Sequence, residues 1–266
     1  MNQTTVLRWE SNERQLLPAV GGDLDVLLAA DSWLVADGFV RGLEYHRQRF
    51  FTACTESADI CAEDLHFFWR HVVAALPRSG QWFPRVELAR VDDSVKLQLR
   101  VRQAPPQTRA VRLLRWPATD PRTLPLRKGP DLALLASMRQ QAISQGADEA
   151  LLLTADGVVL EGLTTSVIWW ESGALCLPDP SLDVLPGVTS RLLVELAEAD
   201  DIPVIYKHLH VEELSGRTVW TCNALHGIRP VIQWIDSPWI ASCHIDHVPF
   251  QSSLNGLGVH LDGISH

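Results

Sequence analysis

Lys128 stands in Arg127-Lys-Gly-Pro-Asp131, after a proline-rich stretch and ahead of an apolar helical run. A lysine amine attacks a carbonyl only when uncharged, so such a residue needs desolvation or a neighbouring cation. Glu161 closes the run Val158-Val-Leu160 and precedes Gly162-Leu-Thr-Thr-Ser166. A carboxylate at that place can keep a heterocyclic nitrogen protonated. Leu185-Pro-Gly-Val-Thr189 leads into a helix. There the turn at Gly187, the amides of Val188 and Thr189 and the Thr189 hydroxyl would cradle an anion at the positive end of the helix dipole. Leu185 could lie flat against an aromatic ring. Asn223 and Ala224 follow a strand, where small residues let a ligand approach the backbone. Arg49, in His46-Arg-Gln-Arg49, would add a fixed charge for a phosphate.

Each residue alone also has a plainer reading. Lys128 reads as a solvated surface charge, Glu161 as strand-end punctuation, Thr189 as a helix N-cap and Arg49 as a surface helix arginine. Taken in order, they supply an amine for an aldehyde, an acid for a ring nitrogen and an anion cradle. Pyridoxal 5′-phosphate chemistry needs those parts.

The elements that must position these residues follow from apolar spacing. Leu24 to Val35 reads as a strand, with Asp37-Gly38 turning the chain back through Phe39 to Gly42. Leu43 to Thr55 and Glu63 to Leu76 read as helices. The second carries Leu65, Phe68, Val72, Val73 and Leu76 on one face. Trp82 to Val91 and Val95 to Val101 read as paired strands around Asp92-Asp-Ser94. Gln103-Ala-Pro-Pro-Gln107 is the expected linker, because adjacent prolines suit neither a helix interior nor a central strand. A second proline-rich connection runs from Pro117 to Pro125. A helix should run from about Pro130 to Gln145, closed by Gly146. Short strands follow at Ala150 to Thr154, Val158 to Glu161, Ser166 to Trp170 and Leu175 to Leu177, with Asp156-Gly157 as a hairpin turn. Thr189 to Ala199 reads as a helix. Pro203 to Tyr206, Val219 to Cys222 and Val231 to Ile235 read as strands. The expectation is an α+β chain with a small domain over 1–107 and a larger one over 108–266.

At 266 residues, with 46% apolar and 21% charged residues, the chain suits one large domain or two modest ones. Its net charge of −9 and the absence of a basic patch argue against nucleic acid as a partner. No apolar run is long enough to span a bilayer, and the first residues lack a secretion signal. Five scattered cysteines without a C-x-x-C pair point to a reduced, cytoplasmic protein. His244-Ile-Asp-His247 lacks a third ligand at metal-site spacing, so no metal is expected.

The series Lys128, Gly146-Ala-Asp-Glu149, Asp156-Gly-Val-Val-Leu-Glu161, Leu185-Pro-Gly-Val-Thr189 resembles the class IV aminotransferases, the fold-type IV pyridoxal-phosphate enzymes. His46-Arg-Gln-Arg49 is similar to that family's H-x-x-R. The resemblance implies a smaller α/β N-terminal domain and a larger domain with a β-barrel-like core, the cofactor lying between them, in a homodimer. It implies that Lys128 forms the Schiff base and shuttles a proton, that Glu161 binds the pyridine nitrogen, and that Leu185 packs on the ring. Arg49, Val188 and Thr189, with Gly187 and the turn at Asn223-Ala224, would hold the phosphate. The activity implied is aminotransferase or 4-amino-4-deoxychorismate lyase chemistry on a small amino compound. Cys222-Asn-Ala-Leu225 resembles the lyase branch, and position 133 is alanine where many aminotransferases carry tyrosine. The glycine-rich opening usual in the family is replaced by Ala29-Ala-Asp-Ser-Trp-Leu34. That loss motivates an alternative: a non-catalytic protein that holds the cofactor or binds a partner on the same scaffold.

Overall fold

The computed structural model describes residues 4–19, 26–92, 94–235 and 237–264. Leu24 and Asp25 of the first expected strand, and Asp93 of the expected turn, lie outside the described residues. The chain divides into two compact units. One holds the described residues up to Pro106, with Arg127–Pro130 and the segment from Leu257. The other holds Gln107–Leu126 and Asp131–Gly256. A single cut near residue 107 does not give this division, because the chain returns to the first unit twice.

The first unit contains β1 (Thr5–Glu10), β2 (Gln15–Pro18), β3 (Val26–Ser32), β4 (Val35–Ala36), β5 (Phe39–Val40), α1 (Leu43–Ser57), α2 (Ala62–Ala75), β6 (Gln81–Trp82), β7 (Arg85–Val91) and β8 (Ser94–Val101). Its main sheet is antiparallel, in the order β2-β1-β8-β7-β3. Strand alternation sorts the two faces. Val86 and Leu88 of β7 stand opposite Leu99 and Leu97 of β8 and pack with Trp33, Phe50, Phe68 and Val72 in the core. Glu87, opposite Gln98, takes the other face and is held there by Arg85, Arg100 and Gln98. The β4–β5 hairpin turns at Asp37 and Gly38, both at positive φ (49° and 80°), as a two-residue turn of right-handed strands requires.

The second unit contains β9 (Val111–Arg115), α3 (Leu132–Ser144), β10 (Glu149–Leu153), β11 (Val159–Gly162), β12 (Ser166–Glu171), β13 (Ala174–Pro178), α4 (Val188–Ala199), β14 (Val204–Lys207), β15 (Val219–Asn223), β16 (Gly227–Trp234) and α5 (Val248–Gly256). Its sheet runs β11-β10-β9-β16-β15-β12-β13-β14. The pairs β10–β9, β9–β16 and β13–β14 are parallel. The sheet curls, so that β11 also lies against β12 and β13. Leu113, Leu151, Val159 and Trp169 fill the inside of the curl. Leu114, Leu152 and Leu160, each one residue along its strand, pack with Met138 and Ala142 of α3 on the outside. Both faces are therefore buried, which is why these strands read as unbroken apolar runs.

β16 begins at Gly227, four residues before the expected start at Val231. Pro230 lies inside it, opposite Trp220. The strand pairs with β9 only from Val231 onward, so the missing N–H at Pro230 breaks no bond on that side. The C-terminal segment forms α5 and then β17 (Val259–His260), the edge partner of β5 in the order β17-β5-β4-β6. Among the described residues no helix is long and apolar enough to cross a membrane.

Candidate functional site

In the first unit, Lys128 is half-buried and its segment is laid on β3. The N–H of Ala30 donates to the Lys128 carbonyl at 2.7 Å. Gly129 is what permits this approach. It has φ +146°, and a Cβ there would stand 2.8 Å from Ala29 Cα and 3.0 Å from Ala30 N. Those are backbone atoms that cannot rotate away. Gly129→Ala is expected to lower stability by about 1–3 kcal/mol, read as a lower urea midpoint with an unchanged slope.

Arg49 is mounted by Asp31, at the inner end of β3. The fully buried Asp31 carboxylate accepts from Arg49 Nε at 2.8 Å, Arg49 Nη2 at 2.9 Å and His46 Nδ1 at 2.7 Å. His46 and Arg49 lie three residues apart on α1, on the side packed against β3. Burial opposes the Asp31 charge, but the Arg49 guanidinium and the His46 hydrogen bond outweigh it and hold the carboxyl well below its usual range. Burial pushes the His46 imidazole down, and Lys128 and Arg49 add to that push. At neutral pH the His46 ring is therefore uncharged and donates to Asp31 through Nδ1–H. Trp33 lies tilted against the same ring, with centroids 5.6 Å apart.

In the second unit, Glu161 lies near the end of β11 with its side chain 8% exposed. Its Oε1 accepts from Arg122 Nη1 at 2.5 Å and from the N–H of Leu185 at 2.7 Å. The structure thus brings Leu185 and Glu161 together. Two residues on, Gly187 caps α4 with no side-chain bond to the helix amides, so the first N–H groups keep their outward dipole. A Cβ on Gly187 would fall 2.3 Å from Ser166 Oγ and 2.7 Å from Ser190 Oγ. The glycine leaves a small, hydroxyl-lined corner beside Val188 and Thr189, both buried.

The turn at Asn223-Ala224 is fixed from behind. Asn223 Oδ1 accepts from the N–H groups of His226 and Leu225 at 2.8 and 3.1 Å, and its Nδ2 donates to the Thr164 carbonyl at 3.2 Å. The Thr164 hydroxyl donates to the fully buried Glu149 at 2.5 Å. This gives the Gly146-Ala-Asp-Glu149 motif a mechanical role. Glu149 sets the loop 162–165, and Asp148 ties β10 to β9 through Arg112, at 2.8 Å from its N–H and 2.9 Å from Nη2.

Three participants carry no local sequence signal. Asp31 replaces part of the expected glycine-rich opening, and its partners come from the next helix. Asp120 and Arg122 stand in a stretch that reads only as a proline-rich connection. The combination of opposite charges inside such a loop, six residues before Lys128, was the available hint.

The amino-transferase class IV family model matches residues 28–234. The chain belongs to the class IV aminotransferase family. Among curated class IV relatives, it is 28% identical over 105 residues to a protein named probable branched-chain-amino-acid aminotransferase in Synechocystis sp., a match covering 39% of this chain and 34% of that protein. It is 33% identical over 85 residues to the aminodeoxychorismate lyase of Bacillus subtilis, covering 31% of this chain and 28% of that protein. The matched stretches thus span about a third of those relatives' length. The fold matches over nearly the whole chain. A hypothetical aminotransferase from Mycobacterium tuberculosis in its PLP-bound form superposes with a TM-score of 0.77 at 20% identity, covering 98% of each chain. The class IV fold, with its α+β organisation and curled sheet, is therefore that of this chain.

Proposed function

We propose that this chain binds pyridoxal 5′-phosphate and acts on a small amino compound through Lys128, by aminotransferase or 4-amino-4-deoxychorismate lyase chemistry. The observation that carries the reading is the clamp on Glu161: one carboxylate oxygen fixed by Arg122 and by the Leu185 N–H, in a family member whose lysine, acid and glycine turn fall in the family's order. The donor set of the second unit suits the cofactor, because the corner at Gly187 would be filled by any Cβ and an uncapped helix start favours phosphate.

When bound, the cofactor supplies an electron sink for a carbanion at the substrate's α-carbon. Lys128 Nζ would hold the cofactor through its aldehyde carbon, and the freed amine would take up the substrate's α-proton and give it back. Glu161 keeps the ring nitrogen protonated. Leu185 packs on the ring. Gly187, Val188 and Thr189, the Asn223-Ala224 turn and Arg49 would hold its phosphate, and Asp31 orients the Arg49 fork. Transamination and lyase outcomes share these steps and part afterwards.

A second copy of the chain is the proposed partner. α3 buries only Met138 and Ala142, while Leu124, Leu126 and Leu134 are 41%, 58% and 38% exposed. A dimer mass in sedimentation would support this, and a monomer at micromolar concentration would remove it. A reducing cytoplasm suits the five free cysteines.

The test is chemical. The protein is reconstituted with pyridoxal phosphate, reduced with borohydride and digested, and the modified peptide is mapped. Label on Lys128 is the expected result, and label elsewhere or nowhere overturns the proposal. Pyruvate release from aminodeoxychorismate, compared with amino transfer from L- and D-amino acids, then separates the two chemistries. A coloured protein inert to every amine would instead favour the holding role.

A further inference from the structure

Arg122 is the most heavily committed cation of the second unit's candidate residues, and no part of the proposed chemistry uses it directly. Its side chain is 4% exposed. Nε and Nη2 grip the Asp120 carboxylate at 2.8–3.0 Å, Nη1 donates to Glu161 Oε1 at 2.5 Å, and Nη2 also donates to the Asp183 carbonyl at 2.9 Å. Asp120 and Glu161 are themselves 11% and 8% exposed. One guanidinium therefore ties together the loop before Lys128, the end of β11 and the loop that carries Leu185.

We propose that Arg122 is the positioning residue that holds Glu161 ionised and aimed at the cofactor's ring nitrogen, with Asp120 as its anchor. The inference rests on the assignment of Glu161 to that nitrogen.

Charge supplies the reason. Asp120, Arg122 and Glu161 together carry one net negative charge, which one ring proton matches. Without Arg122, two carboxylates would share a nearly dry space. Like charges so placed favour protonation of one of them, and a protonated Glu161 no longer holds a proton on the ring. Geometry supplies the rest. Arg122 and the Leu185 N–H both bind Oε1 and so hold that end of the carboxylate in place. Burial opposes the Arg122 charge, and the bonds from Asp120 and Glu161 reverse that, so the guanidinium remains charged at any working pH.

The test compares wild type with Arg122→Met, Arg122→Lys, Asp120→Asn and, as control, Glu161→Gln. Each is reconstituted with pyridoxal phosphate, and both its dissociation constant and the pH titration of its visible band are measured. Arg122→Met is expected to weaken cofactor binding roughly tenfold to a hundredfold, the loss of one charged hydrogen bond. Its band should titrate as that of Glu161→Gln does. Arg122→Lys, keeping the charge without the fork, should recover most of the wild-type band. A folded Arg122→Met with wild-type affinity and band overturns the inference. If that variant does not fold, a wild-type band and affinity in Asp120→Asn overturn it, whereas an altered band titration in Asp120→Asn upholds it. Should Glu161→Gln itself leave the band unchanged, the assignment of Glu161 fails, and this inference with it. A shift in Glu161→Gln but not in the Arg122 and Asp120 variants brings down this inference alone.

Discussion

Lys128→Ala is expected to fold normally, to take no borohydride label and to turn substrate over at least about a thousandfold more slowly than wild type, the combined loss of a nucleophile and a proton carrier. Folding should survive because the contact that places the segment is made by backbone. The Ala30 N–H bonds the Lys128 carbonyl, and Gly129 lies on the Ala29–Ala30 backbone. Neither depends on the lysine side chain. The pyridoxal phosphate dissociation constant should rise while binding remains measurable, since Glu161 and the start of α4 are untouched. Single-turnover kinetics with a substrate amine separate this outcome from misfolding, as far-UV circular dichroism and the urea midpoint would match wild type. A variant that retained label on another lysine, or retained turnover within tenfold, would move the chemistry away from position 128.

Why such residues are readable at all is a question of range. Lys128, Glu161 and the Pro186-Gly187 turn announce themselves because each sits at an element boundary marked by proline, glycine or a change in apolar period. The hairpins at Asp37-Gly38 and Asp156-Gly157 are local in the same sense, and α2 shows its buried face directly in its spacing. What escaped the sequence is remote pairing. Arg122 meets Glu161 across 39 positions, and Asp31 meets Arg49 across 18. Neither pair has a periodicity to betray it. β17 reaches β5 from the far end of the chain, and β1 and β2 hold one buried residue, Trp9, between them. The start of β16 was hidden by Pro230, which denotes a strand's end unless one knows which edge is unpaired. The division into units was hidden because a backbone hydrogen bond, which has no sequence code, recruits the lysine segment to the first unit.

The same remote pairing sets the largest expected change in stability. Asp31→Asn is expected to cost about 3 kcal/mol, because it removes the buried charge that bonds the mostly buried Arg49 and His46. Against a total of roughly 5–15 kcal/mol for a folded domain, that is a large fraction. The pH dependence identifies the cause. The Asp31 carboxyl is depressed in the folded state, so its contribution is fully present above its unfolded value, 3.8, and drains away as pH falls from there toward the folded value. His46 is a second titrating group, in contact with the first. Its folded value is lowered, so below about 6.5 the unfolded chain takes up a proton that the folded chain refuses, and stability falls with pH. Asp31 is the neighbour that raises the imidazole, so without it the ring is pushed further down and the variant's loss is at least as large as that of wild type. Urea unfolding from pH 8 to pH 3 should therefore show two curves that both decline below about pH 6.5, the variant at least as steeply, and that approach one another only below about pH 4. A gap between the curves that widens as pH falls from 7 to 5 would mean instead that the imidazole takes up a proton beside Asp31 in the folded wild type, and that Asp31 is held by His46 rather than by Arg49. The observed geometry opposes that outcome, because Arg49 gives the carboxylate two bonds and a permanent charge where His46 gives one bond from a neutral ring.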